Sequence, residues 1–134
     1  MSHPHIHPSK ESFLKFNSES STTEKLVMLN LLKFKEVADY DNKNQERISG
    51  KEAYMIYISS ITELVKSHGG KLLMHGKTSP FLIGPETEVW DEILIMEYPS
   101  KSDFLNFANS EEYKKHSHHR TAALEDSRLL PISL

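Results

Sequence analysis

At 134 residues the chain has the length of one domain, enough for a core without disulfide or metal staples. The 16 Lys and Arg against 19 Asp and Glu leave a net charge of −3, which excludes an electrostatic nucleic-acid binder; zero Cys excludes disulfides, thiolate metal sites and a Cys nucleophile. No apolar run of about 18 residues spans a membrane, and MSHPHIHPSKESF lacks a signal-peptide core, so the expectation is a cytoplasmic globular domain.

The N-terminus spells H-P-H-I-H-P over residues 3–8, and Ser9 then caps a short helix striped by Phe13, Leu14 and Phe16. NSESSTT (residues 17–23) is a loop by composition. KLVMLNLLKFK (25–35) is apolar on both alternations, Leu26, Met28, Leu32 and Phe34 on one and Val27, Leu29 and Leu31 on the other; it reads as a strand covered on both faces. A polar loop, DYDNKNQ (39–45), leads to Ser49-Gly50-Lys51-Glu52, a capping box. Ala53, Ile56, Tyr57, Ile61, Leu64 and Val65 follow at helical spacing, and Gly69-Gly70 ends that helix.

KLLMHGK (71–77) predicts a second strand, with Phe81 to Gly84 as its extension beyond Pro80. WDEILIMEY (90–98) predicts a third, closed by Pro99. Ser100 caps a helix whose apolar face is Phe104, Leu105, Phe107 and Ala108. Asn109-Ser110 marks a break, after which residues 111–125 resume helical. RLLPISL (128–134) is a last strand, which Pro131 assigns to an edge.

The order β-α-β-β-α-β is the ferredoxin-like plan: an α+β fold with helices on one face of an antiparallel sheet. The chain is read as a single domain, with residues 1–24 an N-terminal extension carrying the extra helix and residues 25–134 the core. Helices cover one sheet face only, so a second copy is the simplest cover for the other. The expected assembly is a homodimer, a dimeric α/β barrel.

VMLNLLKF (27–34), SGKEAY (49–54), WDEILIMEYPS (90–100), EYKKHSHHR (112–120) and LEDSRLLP (124–131), with the Gly69-Gly70 stop between them, resemble the domain-of-unknown-function family thirteen-thirty of the dimeric α/β-barrel superfamily. The resemblance covers nearly the whole chain. It implies the fold and the dimer, not an activity, because fold is a poor guide to chemistry.

Six residues are candidates for ligand binding or catalysis. Asn30 is the polar residue in an apolar strand; its amide either orients a small molecule or ties strands together. Arg120 shares a helical stripe with Tyr113, His116 and Leu124, and its guanidinium would take a carboxylate, from a substrate or from Asp91 or Glu97. His75, beside Gly76, is a candidate base against a purely structural reading, with Tyr98 the other candidate proton carrier. Trp90 and Tyr98 share one face of their strand and Asp91 and Glu97 the other, so the two aromatics either wall a planar ligand or simply pack.

His3, His5 and His7 and then His116, His118 and His119 cluster, but no H-E-x-x-H spacing accompanies them, and no metal is expected. Gly-rich phosphate loops and G-x-S-x-G elbows are absent from the sequence. The expected function is a small-molecule-binding protein, an enzyme of proton transfer or oxygenation with no cofactor; the alternative is a non-catalytic ligand-binding or stress-responsive dimer. Its partners are itself and a small organic ligand, with neither nucleic acid nor membrane.

Overall fold

The structure, a computed structural model, describes residues 4–19, 24–41 and 47–134. His3 of the N-terminal cluster, residues 20–23 of the first expected loop and residues 42–45 of the second lie outside the described residues.

The elements are α1 (Lys10–Ser18), β1 (Leu26–Phe34), α2 (Gly50–Ser67), β2 (Lys71–Lys77), β3 (Glu92–Tyr98), α3 (Lys101–Ala108), α4 (Glu111–Ala123) and β4 (Leu124–Ser133). The strands form one antiparallel sheet in the order β2-β3-β1-β4. This is the α+β ferredoxin-like arrangement with an added N-terminal helix. Pro131, which has no N–H to give, sits on the edge strand β4 as its chemistry requires.

Side-chain alternation divides the sheet. Leu26, Met28 and Leu32 of β1 join Leu94 and Tyr98 of β3 beneath Tyr54, Tyr57, Ile61 and Val65 of α2, with Phe107 of α3 and Ala122 and Ala123 of α4. Leu29 and Leu31, aligned with Ile95 and Ile93 on β3 and with Leu130 and Arg128 on β4, lie on the face away from the helices. Met74 of β2 and Leu130 of β4 extend that face and are 56% and 57% exposed.

The helix ends follow the caps. Ser49 Oγ accepts from Glu52 N and Glu52 Oε1 accepts from Ser49 N, both at 3.0 Å. Ser9, Ser100 and Ser110 cap α1, α3 and α4 in the same way with one bond each. Gly69 ends α2 at φ +80, where a Cβ would be strained.

Three boundaries differ from the sequence reading. Phe81 to Gly84 is not strand: Thr78 makes the last ladder-like bonds, to Asp91 O and Trp90 O, and Pro80 has no N–H to continue them. Trp90 precedes β3, which begins at Glu92. Helix α4 ends at Ala123 and passes directly into β4 at Leu124, because Leu124 already pairs with Phe34.

Candidate functional site

On the helix-covered face, two cross-strand rows carry the polar side chains. One row runs Lys77, Glu92, Leu32, Ser127 and the next His75, Leu94, Asn30, Leu129 across β2, β3, β1 and β4. With strands about 4.8 Å apart, Glu92 and Ser127 stand roughly 10 Å from each other.

Glu92 is 6% exposed on an otherwise apolar strand face. A carboxylate there needs partners. His75 Nε2 lies 2.6 Å from Glu92 Oε1, and Lys51 Nζ of the first turn of α2 lies 3.4 Å from Oε2. The His75 side chain is 24% exposed, so one side of the ring meets solvent while the other is held by the acid. Among the described residues Nδ1 has no partner.

Asn30 stands one row over. Its Nδ2 donates to Leu94 O at 3.1 Å and, at the longer 3.4 Å, to Met28 O. These bonds tie β1 to β3, while Oδ1 accepts from none of the described residues. Both readings of this amide thus have a physical basis: half of it is a strand tie and half is available.

Arg120 lies at the opposite margin. Its Nη1 donates to Ile6 O at 2.7 Å and its Nη2 to Ser127 Oγ at 3.5 Å. Neither Asp91 nor Glu97 takes it. Asp91 Oδ2 accepts from Phe34 N at 2.8 Å, and Glu97 sits between Lys25 and Lys71 at 3.1 and 3.3 Å on the other sheet face. The hydrogen bond from Lys25, seconded by Lys71 against a desolvation penalty, holds the Glu97 carboxyl below the usual range.

Tyr113 bonds Tyr57 through their hydroxyls at 2.9 Å and packs edge-on against Phe107. Burial raises the phenols of Tyr54, Tyr57 and Tyr98 above their ordinary value, and the Arg120 charge opposes this at Tyr54 and Tyr57. The Glu92 charge adds to the rise at Tyr54.

Trp90 and Tyr98 are not brought to this seam together. The Trp90 ring is covered by the Arg128 guanidinium at 4.9 Å, and its Nε1 donates to Glu88 Oε1. Tyr98 is 3% exposed among Phe104 and Phe107. It lies four residues along β3 from the row of His75, a separation of about 13 Å. The members of the C-terminal His cluster are engaged separately: His119 Nδ1 with Tyr40 Oη at 2.6 Å, His116 with Glu112 at 3.6 Å, His118 against the His119 ring.

Glu92, Lys51, Tyr54 and Ser127 were not singled out from the sequence. Glu92 carried a readable signal, since it alternates in phase with Leu94 and Tyr98 and therefore faces the core. Two open surface depressions, one beside Met55 and Ile56 on the outside of α2 and one along α1, lie away from the seam.

The family model described as "Domain of unknown function (DUF1330)" matches residues 32–131. A solved structure of a protein of unknown function from Rhodopseudomonas palustris is 34% identical, with a TM-score of 0.88 covering 98% of this chain and 97% of that one. A dimeric protein of unknown function with a ferredoxin-like fold, from Bacteroides fragilis, is 13% identical at a TM-score of 0.52, covering 82% and 96%. A DABB family protein with a ferredoxin-like fold from Mesorhizobium loti is 7% identical at 0.53, covering 81% and 95%. At such identities the last two speak for the fold alone. No curated protein matches the chain.

Proposed function

The chain belongs to the DUF1330 family, and from that premise we propose that it is a cytoplasmic homodimer that binds a small organic molecule and transfers a proton on it without a bound cofactor. The observation that carries this reading is the 2.6 Å contact between His75 Nε2 and the buried Glu92 carboxylate. A carboxylate on Nε2 selects the tautomer with the proton at that nitrogen and leaves the Nδ1 lone pair as base. It also stabilises the imidazolium formed when Nδ1 takes a proton from an acidic C–H or O–H of the substrate. Asn30 Oδ1, in the row of His75 but two strands and roughly 10 Å away, accepts a hydroxyl or amide hydrogen and holds the substrate's orientation. Cofactor-free oxygenation of such a substrate begins with the same proton abstraction.

The dimer reading draws support from the apolar face formed by Leu29, Leu31, Ile93, Ile95 and Leu130, which the helices leave uncovered. Tyr98 takes no part in the proposed proton transfer, being buried and distant from His75. Trp90 is likewise left as a packing residue under Arg128.

The test is deuterium incorporation, followed by proton NMR in D2O, into a panel of small 1,3-dicarbonyl and α-hydroxycarbonyl compounds. Exchange accelerated by the wild-type chain and reduced at least about a hundredfold in His75→Gln is the expected result. No acceleration by the wild type with any compound overturns the catalytic reading in favour of a non-catalytic ligand-binding dimer.

A further inference from the structure

Arg120 is a half-buried guanidinium with no carboxylate partner among the described residues. Five N–H donors fan from its plane. Two are answered, both by neutral oxygens: Ile6 O at 2.7 Å and Ser127 Oγ at 3.5 Å, the latter at the limit of a hydrogen bond. Asp126, Asp91 and Glu92 each have other partners. Asp126 accepts from His5 N and Ser127 N and pairs with Arg128 at 2.8 Å, Asp91 holds Phe34 N, and Glu92 holds His75 and Lys51.

The group that occupies the guanidinium is a backbone carbonyl of the N-terminal extension. Residues 5 and 6 form a strap along β4, fastened by His5 N to Asp126 at 2.8 Å, by Ser127 Oγ to His5 O, and by the Ile6 carbonyl on Arg120. Ile6 is only partly buried against the core, and the strap crosses more than 110 residues of sequence to reach its partners. A neutral carbonyl is a weaker partner for a guanidinium than a carboxylate, which meets its fork with two charge-assisted bonds. The Arg120 charge is felt by the buried phenols of Tyr54 and Tyr57 on α2.

We infer that Arg120 is the anchor of a carboxylate-binding site for a small organic acid with an apolar or aromatic body, and that the His5–Ile6 strap is its displaceable cover. The acid takes the place of the Ile6 carbonyl on the guanidinium, and its apolar body takes the place of the Ile6 side chain. This site stands on Arg120 and the strap alone and does not require proton transfer at His75.

The experiment is isothermal titration of the full chain in low-chloride buffer with benzoate, with benzamide as neutral isostere and with inorganic phosphate as the rival anion. Expected are saturable binding of benzoate, at least about tenfold weaker binding of benzamide, and loss of benzoate binding in Arg120→Gln. Ile6→Ala, which loosens the strap, tightens benzoate binding severalfold. Equal binding of benzoate and benzamide, preference for phosphate, or no benzoate binding by both wild type and Ile6→Ala overturns the assignment. Should Arg120→Gln fail to fold, the benzoate–benzamide comparison on the intact chain decides the matter alone.

Discussion

Tyr40 Oη lies 2.6 Å from His119 Nδ1, joining the segment after β1 to the last turns of α4. With its ring proton on Nε2, neutral His119 accepts the phenol hydrogen at Nδ1; a protonated ring has no lone pair there to offer. Burial, then the neighbouring His118 and His116, lower the His119 pKa from its ordinary 6.5. The unfolded chain therefore takes up this proton first as pH falls. The stability that neutral His119 contributes is complete above pH 6.5 and is lost as pH drops from there through the folded value. Urea midpoints measured from about pH 7.5 down to about 5.5 should decline, and His119→Gln should flatten the decline. Tyr40→Phe should cost about 1 kcal/mol at neutral pH. An unchanged slope in His119→Gln refutes the assignment.

Gly50 occupies a point of closest approach between three elements. A Cβ there would stand 2.2 Å from Lys35 O, 2.6 Å from Ala123 O and 2.7 Å from Lys35 N, all backbone atoms that cannot swing aside. The same atoms make the bonds that hold the corner, Gly50 N to Lys35 O at 3.0 Å and Lys35 N to Ala123 O at 2.8 Å. Gly50→Ala should lower stability by about 3 kcal/mol or more by denaturant titration, despite the better helix propensity of Ala. A stability equal to wild type contradicts this packing.

These two contacts also mark what a single sequence conveys. Capping boxes, alternation and the Pro131 edge are local rules, so the element order and sheet plan could be read directly. Gly50 reads locally as a helix residue next to its cap; only the meeting of β1, α2 and α4 makes it a close-approach glycine. The site behaves likewise. Asn30 was visible as a polar residue in an apolar strand, and Arg120 as a cation on an inward stripe. Their partners, a backbone carbonyl 64 residues away and the Ile6 carbonyl 114 residues away, have no local signature. Trp90 and Tyr98 differ for a related reason: alternation assigns them to one face, but Trp90 precedes β3 and lies under Arg128, where it packs.

Lys101 is 2% exposed, and its Nζ donates to Phe16 O, Asn17 O and Glu19 O at 3.0, 3.0 and 2.6 Å. An ammonium at a helix C-terminus satisfies carbonyls the helix leaves open and complements its dipole. Helix α1 buries none of its own residues, so this bond set and the Phe16–Phe104 edge contact carry its docking. Lys101→Met should cost about 2 kcal/mol and accelerate amide exchange over Lys10–Ser18. Unchanged exchange there would show that α1 is held by other means.

Asn30→Leu separates the two halves of the amide. Leucine suits the apolar strand in volume, so the fold should persist with a loss of about 1 kcal/mol from the missing bond to Leu94 O. Deuterium incorporation catalysed through His75 should fall about tenfold or more, because the orienting oxygen is gone. Unfolding of the variant would make the amide a structural tie and remove Asn30 from the site.

The sheet face opposite the helices decides the assembly. Ile95 stands at its centre, aligned with Leu29 on one side and Met74 on the other. A standard interface buries about 800 Å2 on each partner, roughly a tenth of a small protein's surface. The chain exposes 8878 Å2 in all. Two such faces packed together would bury Ile95 near the two-fold axis, and a single substitution there acts twice. Ile95→Arg places two unpaired cations in that interface and should weaken association by about 3 kcal/mol or more, over a hundredfold in Kd. Sedimentation equilibrium at micromolar concentration should therefore give twice the chain mass for the wild type and the single chain mass for Ile95→Arg. Glu63→Arg, an exposed charge reversal on α2, should sediment as the wild type does. A wild-type monomer would remove the face-to-face barrel, while the inference at Arg120, which lies on the helix side, would stand unaffected.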